Sequence, residues 1–183
     1  MKIYIKNMAT DNAIDLVKSE LENLKLSYSR IETGEVDLVH VPSGEQHTIL
    51  NLALKKWNLE LIQDGKAILV ERIKNIIKEI VYFSNDFPKI NYSYYLSNKL
   101  QRDYTYLSNI FSELERITIE HFIIYHKIEK AKLLLVKNQL NITEIASLLN
   151  YRTVSHFSNQ FKKVSGYTPT FFKAMMNKKT SKD

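Results

Sequence analysis

The sequence predicts an α+β N-terminal domain in the ferredoxin-like order βαββαβ, then a connecting helix, then an all-α domain of two helix-turn-helix units. Three observations predict it. Up to residue 64, apolar spacing switches between period 2 and period 3.6; beyond that point the segments read at helical period. Residues 90–122 share their pattern with a stretch that returns at 141–173. Charge also divides: residues 1–84 hold 11 Lys and Arg against 12 Asp and Glu, net −1, whereas 85–183 hold 15 against 8, net +7. The expected organisation is residues 1–64, a helix over 65–84, a second domain over 85–176 and a polar tail over 177–183.

Composition narrows the class. With 44% hydrophobic residues among 183, packed cores are within reach, and no cysteine is present, which excludes disulfides and thiolate metal sites within this chain. No apolar run approaches the roughly 18 residues a bilayer requires. The start, MKIYIKNMATD, lacks a signal-peptide core, so the expected setting is cytoplasmic, with no membrane partner.

In the N-terminal region, 2–8 alternate as a strand, and 11–24 follow at helical period behind a cap at Thr10 or Asp11. Strands over 26–32 and 35–41 meet through Thr33-Gly34. A helix over 44–57 carries Ile49, Leu50, Leu52, Ala53 and Trp57 as its apolar residues, and 59–63 make a last short strand. Residues 66–83 form a strongly amphipathic helix, expected to pack on a domain or on a second copy of itself. Asn, Asp and Pro in Ser84–Lys89 mark the boundary.

In the C-terminal region, Asn91 or Ser93 starts a helix presenting Leu96, Ser97 and Leu100. Asp103 caps the next, with Leu107, Ile110, Phe111 and Leu114 inward and Tyr104, Thr105, Tyr106, Ser108 and Asn109 outward. A long helix spans 119–138, with Phe122, Tyr125, Ile128, Ala131 and Leu135 at helical spacing. Then the pattern returns. Asn141 and Glu144 make a capping box, Ile142, Ile145, Ala146 and Leu149 form one face, and the small Ala146 allows a close helix crossing. Thr153 caps a helix with Phe157, Phe161 and Val164 inward. Its other face shows Ser155, His156, Ser158, Asn159 and Lys162, short hydrogen-bonding groups and a cation of the kind a major groove accepts.

This stretch resembles the second helix-turn-helix of the AraC/XylS family of bacterial transcription regulators. The resemblance is carried by Ile145-Ala146, Tyr151, the run His156 to Lys163, Gly166, Thr168-Pro169 and Phe172-Lys173. Residues 90–122 resemble the family's first unit, with Thr118 and Phe122 answering to Thr168 and Phe172. Three departures stand where the family commonly has Gly: Gln101, Arg116 and Asn150. Asn is the next best residue for a left-handed turn. The helix over 119–138 matches the family's linker helix, which holds two recognition helices about 34 Å apart, one turn of B-DNA.

The resemblance implies a sequence-specific regulator bound to double-stranded DNA. Tyr104 to Asn109 and Arg152 to Asn159 (with Thr153) would face the bases, Asn109 and Asn159 suiting adenine and Arg152 guanine or phosphate. Lys162, Lys163 and Lys173 would lie over phosphates. Tyr104 and Tyr106 equally suit thymine methyls or plain core cover.

The N-terminal region looks like a heavy-metal-associated domain, whose first loop carries two cysteines. Here those positions are Thr10 and Ala13, which cannot hold a soft cation, so no metal or other cofactor is expected. This domain is then expected to dimerise, through itself or the connecting helix, or to sense another ligand with its Met8–Ala13 loop. The competing function is a metal- or ligand-handling protein built on that fold. His40, His47, His121 and His126 are scattered, no Ser-His-Asp pattern or phosphate-cradling Gly loop is present, and no enzyme is expected.

Overall fold

A computed structural model of the chain describes residues 1–83, 91–137 and 139–176, and the helical backbone of 177–180. The boundary expected over Ser84–Lys89, Asn138 at the end of the long helix, and the last three residues of the expected tail lie outside the described residues. The chain forms two compact units, Met1–Ile76 and Ile77–Asp183.

The first unit runs β1 (Lys2–Lys6), α1 (Asp11–Asn23), β2 (Tyr28–Glu32), β3 (Glu35–Leu38), α2 (Gly44–Lys55), β4 (Glu60–Ile62) and the start of α3 (Gly65–Phe83), which crosses the division between the units. The sheet order is β2-β3-β1-β4 with every neighbouring pair antiparallel. Alternation puts Ile3, Ile5, Val36 and Leu38 into one core with Val17 and Leu21 of α1 and Leu50 and Leu54 of α2. Glu32 and Glu35 face each other across the hairpin, a repulsive pair that Arg30 and Lys2 neutralise through ion pairs. Gly34 in that turn has φ +78, which favours glycine, and a Cβ there would lie 2.4 Å from Asn75 Nδ2 of α3, so any other residue would also force that amide to shift. Glu71 of α3 accepts the Asn7 backbone N–H at 2.9 Å.

Helix α2 corrects the expected apolar set. Leu50 and Leu54, one turn apart, are buried, while Ile49, Leu52 and Trp57 are exposed. A helix lying on a sheet buries one i, i+4 stripe; residue 49 lies well off it and residue 52 on the far side of the helix.

The second unit comprises the end of α3 and α4 (Tyr92–Leu100), α5 (Tyr104–Glu115), α6 (Ile119–Lys137), α7 (Ile142–Leu148), α8 (Val154–Ser165) and α9 (Pro169–Thr180). It is built twice. In the first half Leu96, Leu100, Leu107 and Phe111 are buried; in the second, Ile145, Leu149, Phe157 and Phe161 take the same places. Phe111 meets Phe122 edge-on at 5.5 Å and 69°, and Phe161 meets Phe172 at 5.6 Å and 68°. Thr118 and Thr168 each accept a backbone N–H three residues on, starting α6 and α9 alike. Helix α6 packs on α5 and also on α7, α8 and α9.

Two expected inward residues, Leu114 and Val164, are exposed, each three residues beyond the buried Phe of its helix. The last turn of each helix overhangs the core it caps. Tyr125 of α6 is likewise exposed.

Candidate nucleic-acid interface

The two tight turns set the angle at which α5 and α8 emerge. Before α5 the chain leaves α4 through Gln101, whose φ is +52; before α8 it leaves α7 through Leu149 and Asn150, with Asn150 at φ +56. The Tyr151 N–H then donates to Ala146 O at 2.9 Å, closing the second turn over the small crossing residue. The capping box at the start of α7 is formed in both directions: Glu144 N–H donates to Asn141 Oδ1 at 2.9 Å, and Asn141 N–H to Glu144 Oε2 at 2.7 Å.

Both emerging helices are capped by side chains, with different charge. Asp103 Oδ1 accepts from the Thr105 and Tyr106 N–H groups at 2.8 and 3.3 Å, placing an anion at the start of α5. Thr153 Oγ1 accepts from the His156 N–H at 3.0 Å, leaving the start of α8 uncharged and its helix dipole open to a phosphate.

On α5, Thr105, Tyr106 and Asn109 are exposed while Tyr104 and Ser108 are half-buried. Burial, with the charge of Glu120 adding to it, pushes the Tyr104 phenol up. On the second unit Arg152, Thr153, Ser155, His156, Asn159, Lys162 and Lys163 are exposed and Ser158 is half-buried. Lys162 and Lys163 occupy the last turn of α8, where cations also favour the helix dipole. Lys173 stands on α9, half-buried. His156 does not stand free: its ring lies edge-on to Tyr151 at 5.4 Å.

The repeat draws attention to Arg102, which the sequence reading passed over. It precedes the Asp103 cap as Arg152 precedes Thr153, and it is exposed. Aligning the two units on their caps, instead of on their small residues, brings it out.

The first unit's Thr10 and Ala13 have structural duties. Thr10 Oγ1 accepts the Ala13 N–H at 3.2 Å as the cap of α1, and Ala13 and Met8 lie in the core. Among the described residues no three His, Asp or Glu side chains gather as metal ligands, and no helix is long and apolar enough to cross a membrane.

A family model described as a helix-turn-helix domain matches residues 96–175, which covers both turns and all of α6. The chain is similar to the C-terminal domain of AraT, a response regulator from Geobacillus stearothermophilus, at 27% identity over 61% of this chain and 88% of that one, with a TM-score of 0.52. It shares its fold with a DNA-binding transcriptional dual regulator from Escherichia coli K-12, at 18% identity over 64% and 96%, with a TM-score of 0.53. The C-terminal domain of the response regulator yesN from Fusobacterium nucleatum is 32% identical over 56% of this chain and 95% of that one, with a TM-score of 0.47. No curated protein matches the chain. The match over 96–175 and the likeness to the AraT domain favour a regulator and lend nothing to a metal- or ligand-handling protein. Two repeated units on one helix, each with a capped and polar-faced second helix, and the match over 96–175 together make residues 96–175 an AraC-type helix-turn-helix domain and the protein a DNA-binding transcription regulator rather than an enzyme.

Proposed function

We propose that this regulator reads one DNA duplex by placing α5 and α8 in successive major grooves. The observation that carries the reading is the repeat itself: two helices of the same build, each exposing a polar face, are joined through a single 19-residue helix, α6. A helix of that length is about 28 Å long, the scale of one turn of duplex. Asn109 and Asn159 would read adenine, while Arg152, and by symmetry Arg102, would take guanine or a backbone phosphate. Thr105, Ser108, Ser155, His156 and Ser158 supply further hydrogen bonds, and Tyr104 and Tyr106 apolar contact to thymine methyls. Lys162, Lys163 and Lys173 contribute to affinity through phosphates and little to sequence choice. The basic excess of residues 85–183 supports this division of labour.

For the first unit we infer a ferredoxin-like module. The support is the strand order, in which β3 lies antiparallel between β1 and β2 although α1 connects those two. Its use would be dimerisation or sensing of a small ligand, in a cytoplasmic protein. Light scattering separates these: a dimer mass supports the first, a monomer whose stability rises with an added ligand supports the second.

Fluorescence anisotropy against the upstream region of the protein's own gene tests the main reading. Binding at least about a thousandfold tighter than to random duplex at physiological salt is expected. Equal affinity for both would remove sequence-specific recognition.

A further inference from the structure

No helix of the first helix-turn-helix unit packs extensively on a helix of the second among the described residues; α6 packs on both. One side chain nevertheless reaches both. The Lys127 ammonium, near the middle of α6, lies 5.8 Å from the centroid of Tyr92, the first residue of α4, and 5.4 Å from that of Tyr151, in the turn before α8. Both distances fall within the range over which a ring face attracts a cation. Among the described residues Lys127 makes no ion pair with a carboxylate. The two π faces are therefore the polar compensation this half-buried cation has, and its own pKa is drawn down by loss of solvent. Tyr151 continues the line outward, since its ring also meets His156 and Phe157 of α8, at 5.4 and 5.2 Å. Among the described residues its buried hydroxyl has no hydrogen-bond partner, so no polar contact of the phenol there accounts for a Tyr, whereas the ring face does.

We propose that Lys127, held between Tyr92 and Tyr151, is a positioning residue that braces the two helix-turn-helix units against each other and so sets the spacing between half-sites the protein accepts. The inference rests on the reading that α5 and α8 bind one duplex. A 19-residue helix alone bends; a side chain clamped at its centre to both units limits that bend. Lys127 need not touch DNA for this role.

The test uses the full chain and two readouts. Residual dipolar couplings, recorded without DNA, should fit α5 and α8 to one alignment tensor in the wild type and in Lys127→Arg, which keeps the cation, and to two in Lys127→Met. Tyr92→Leu, at the end of α4, should behave as Lys127→Met does, and stands in for it should that variant fail to fold. A single tensor in the folded loss variants would overturn the brace. On a duplex selected from a random pool, Lys127→Met should bind about tenfold more weakly, and the wild type's penalty for one base pair inserted between half-sites should shrink. Lys127→Arg should restore both. An equal loss at every spacing would also overturn the proposal, marking a phosphate contact in its place. A wild type that does not discriminate between duplexes, with the coupling results as expected, would overturn the DNA reading and uphold the brace as a structural feature.

Discussion

The two helix-turn-helix units share a core and differ at their corners. Their ring pairs, Phe111 with Phe122 and Phe161 with Phe172, agree to 0.1 Å and 1°. Yet each helix of the first unit ends on a long side chain in the left-handed region, Gln101 at φ +52 and Arg116 at φ +61, where the second has Asn150 at +56 and Gly166 at +82. The lesson is one of hierarchy. Packing of four apolar side chains and an aromatic pair fixes the backbone, and the residue at the corner accepts the conformation it is handed, at a cost of about 1–2 kcal/mol where it has a Cβ and lacks the polar group of Asn. The first unit carries that strain twice. Their outer faces differ too: α5 starts on an anion and shows Tyr104 and Tyr106, α8 starts on a neutral cap and shows Ser155, His156 and Ser158.

Removing the shared part should break both units alike. Phe111→Ala and Phe161→Ala are each expected to cost about 3–5 kcal/mol in urea unfolding, since both rings are fully buried. A much smaller loss for one would mean that the two cores are not equivalent.

The next effect separates the faces. Asn159→Ala should cost about 1–3 kcal/mol of binding, confined to one or two base positions, and Asn109→Ala the same at positions one helical turn away. Competition titrations with single-base variants of a selected site would show this. A uniform loss over all sequences would reassign the residue to the backbone.

Corner strain is smaller. Arg116→Gly should raise stability by up to about 1 kcal/mol, because the relief of left-handed strain exceeds glycine's entropy cost, and Gly166→Arg should lower it similarly. Calorimetry reads both as opposite shifts in Tm. Shifts of the same sign would show that the corners are governed by something other than backbone strain.

The mildest perturbation is pH. Burial pushes the Tyr92 and Tyr151 phenols up to about 12 from an ordinary 10. The folded protein keeps them neutral where the unfolded chain ionises them. Their contribution is therefore complete below pH 10 and lost as the pH climbs from 10 to about 12. Phenolate absorbance should show a late step near pH 12 that Tyr92→Leu reduces by one tyrosine.

Much of this was legible in the sequence because the signals are local. The switch between periods 2 and 3.6 marks each element, and Asn141 with Glu144 marks a capping box that the structure closes in both directions. Asn150 shows the left-handed turn through its residue type. What escaped depends on where an element ends or on distant partners. Leu114 and Val164 follow the apolar spacing of their helices but overhang the core, which spacing does not reveal. Ile49 and Leu52 belong to an apolar run wider than the stripe a sheet covers. The contacts of Lys127 with Tyr92 and Tyr151 span 35 and 24 residues, and that of Glu71 with Asn7 spans 64; no window in the sequence holds them together. Arg102 lay hidden for a simpler reason: the turn is one residue shorter in the first unit, so alignment on the small residue misplaces it.

Hydroxyl-radical footprinting of the full chain on a selected duplex bears most directly on the pairing of α5 with α8. Two protected patches on one face of the DNA are expected, centred about 10 base pairs apart, one weakened by Asn109→Ala and the other by Asn159→Ala. A single patch weakened by both substitutions, or protection of one half-site with no response to changes in α5, would contradict it.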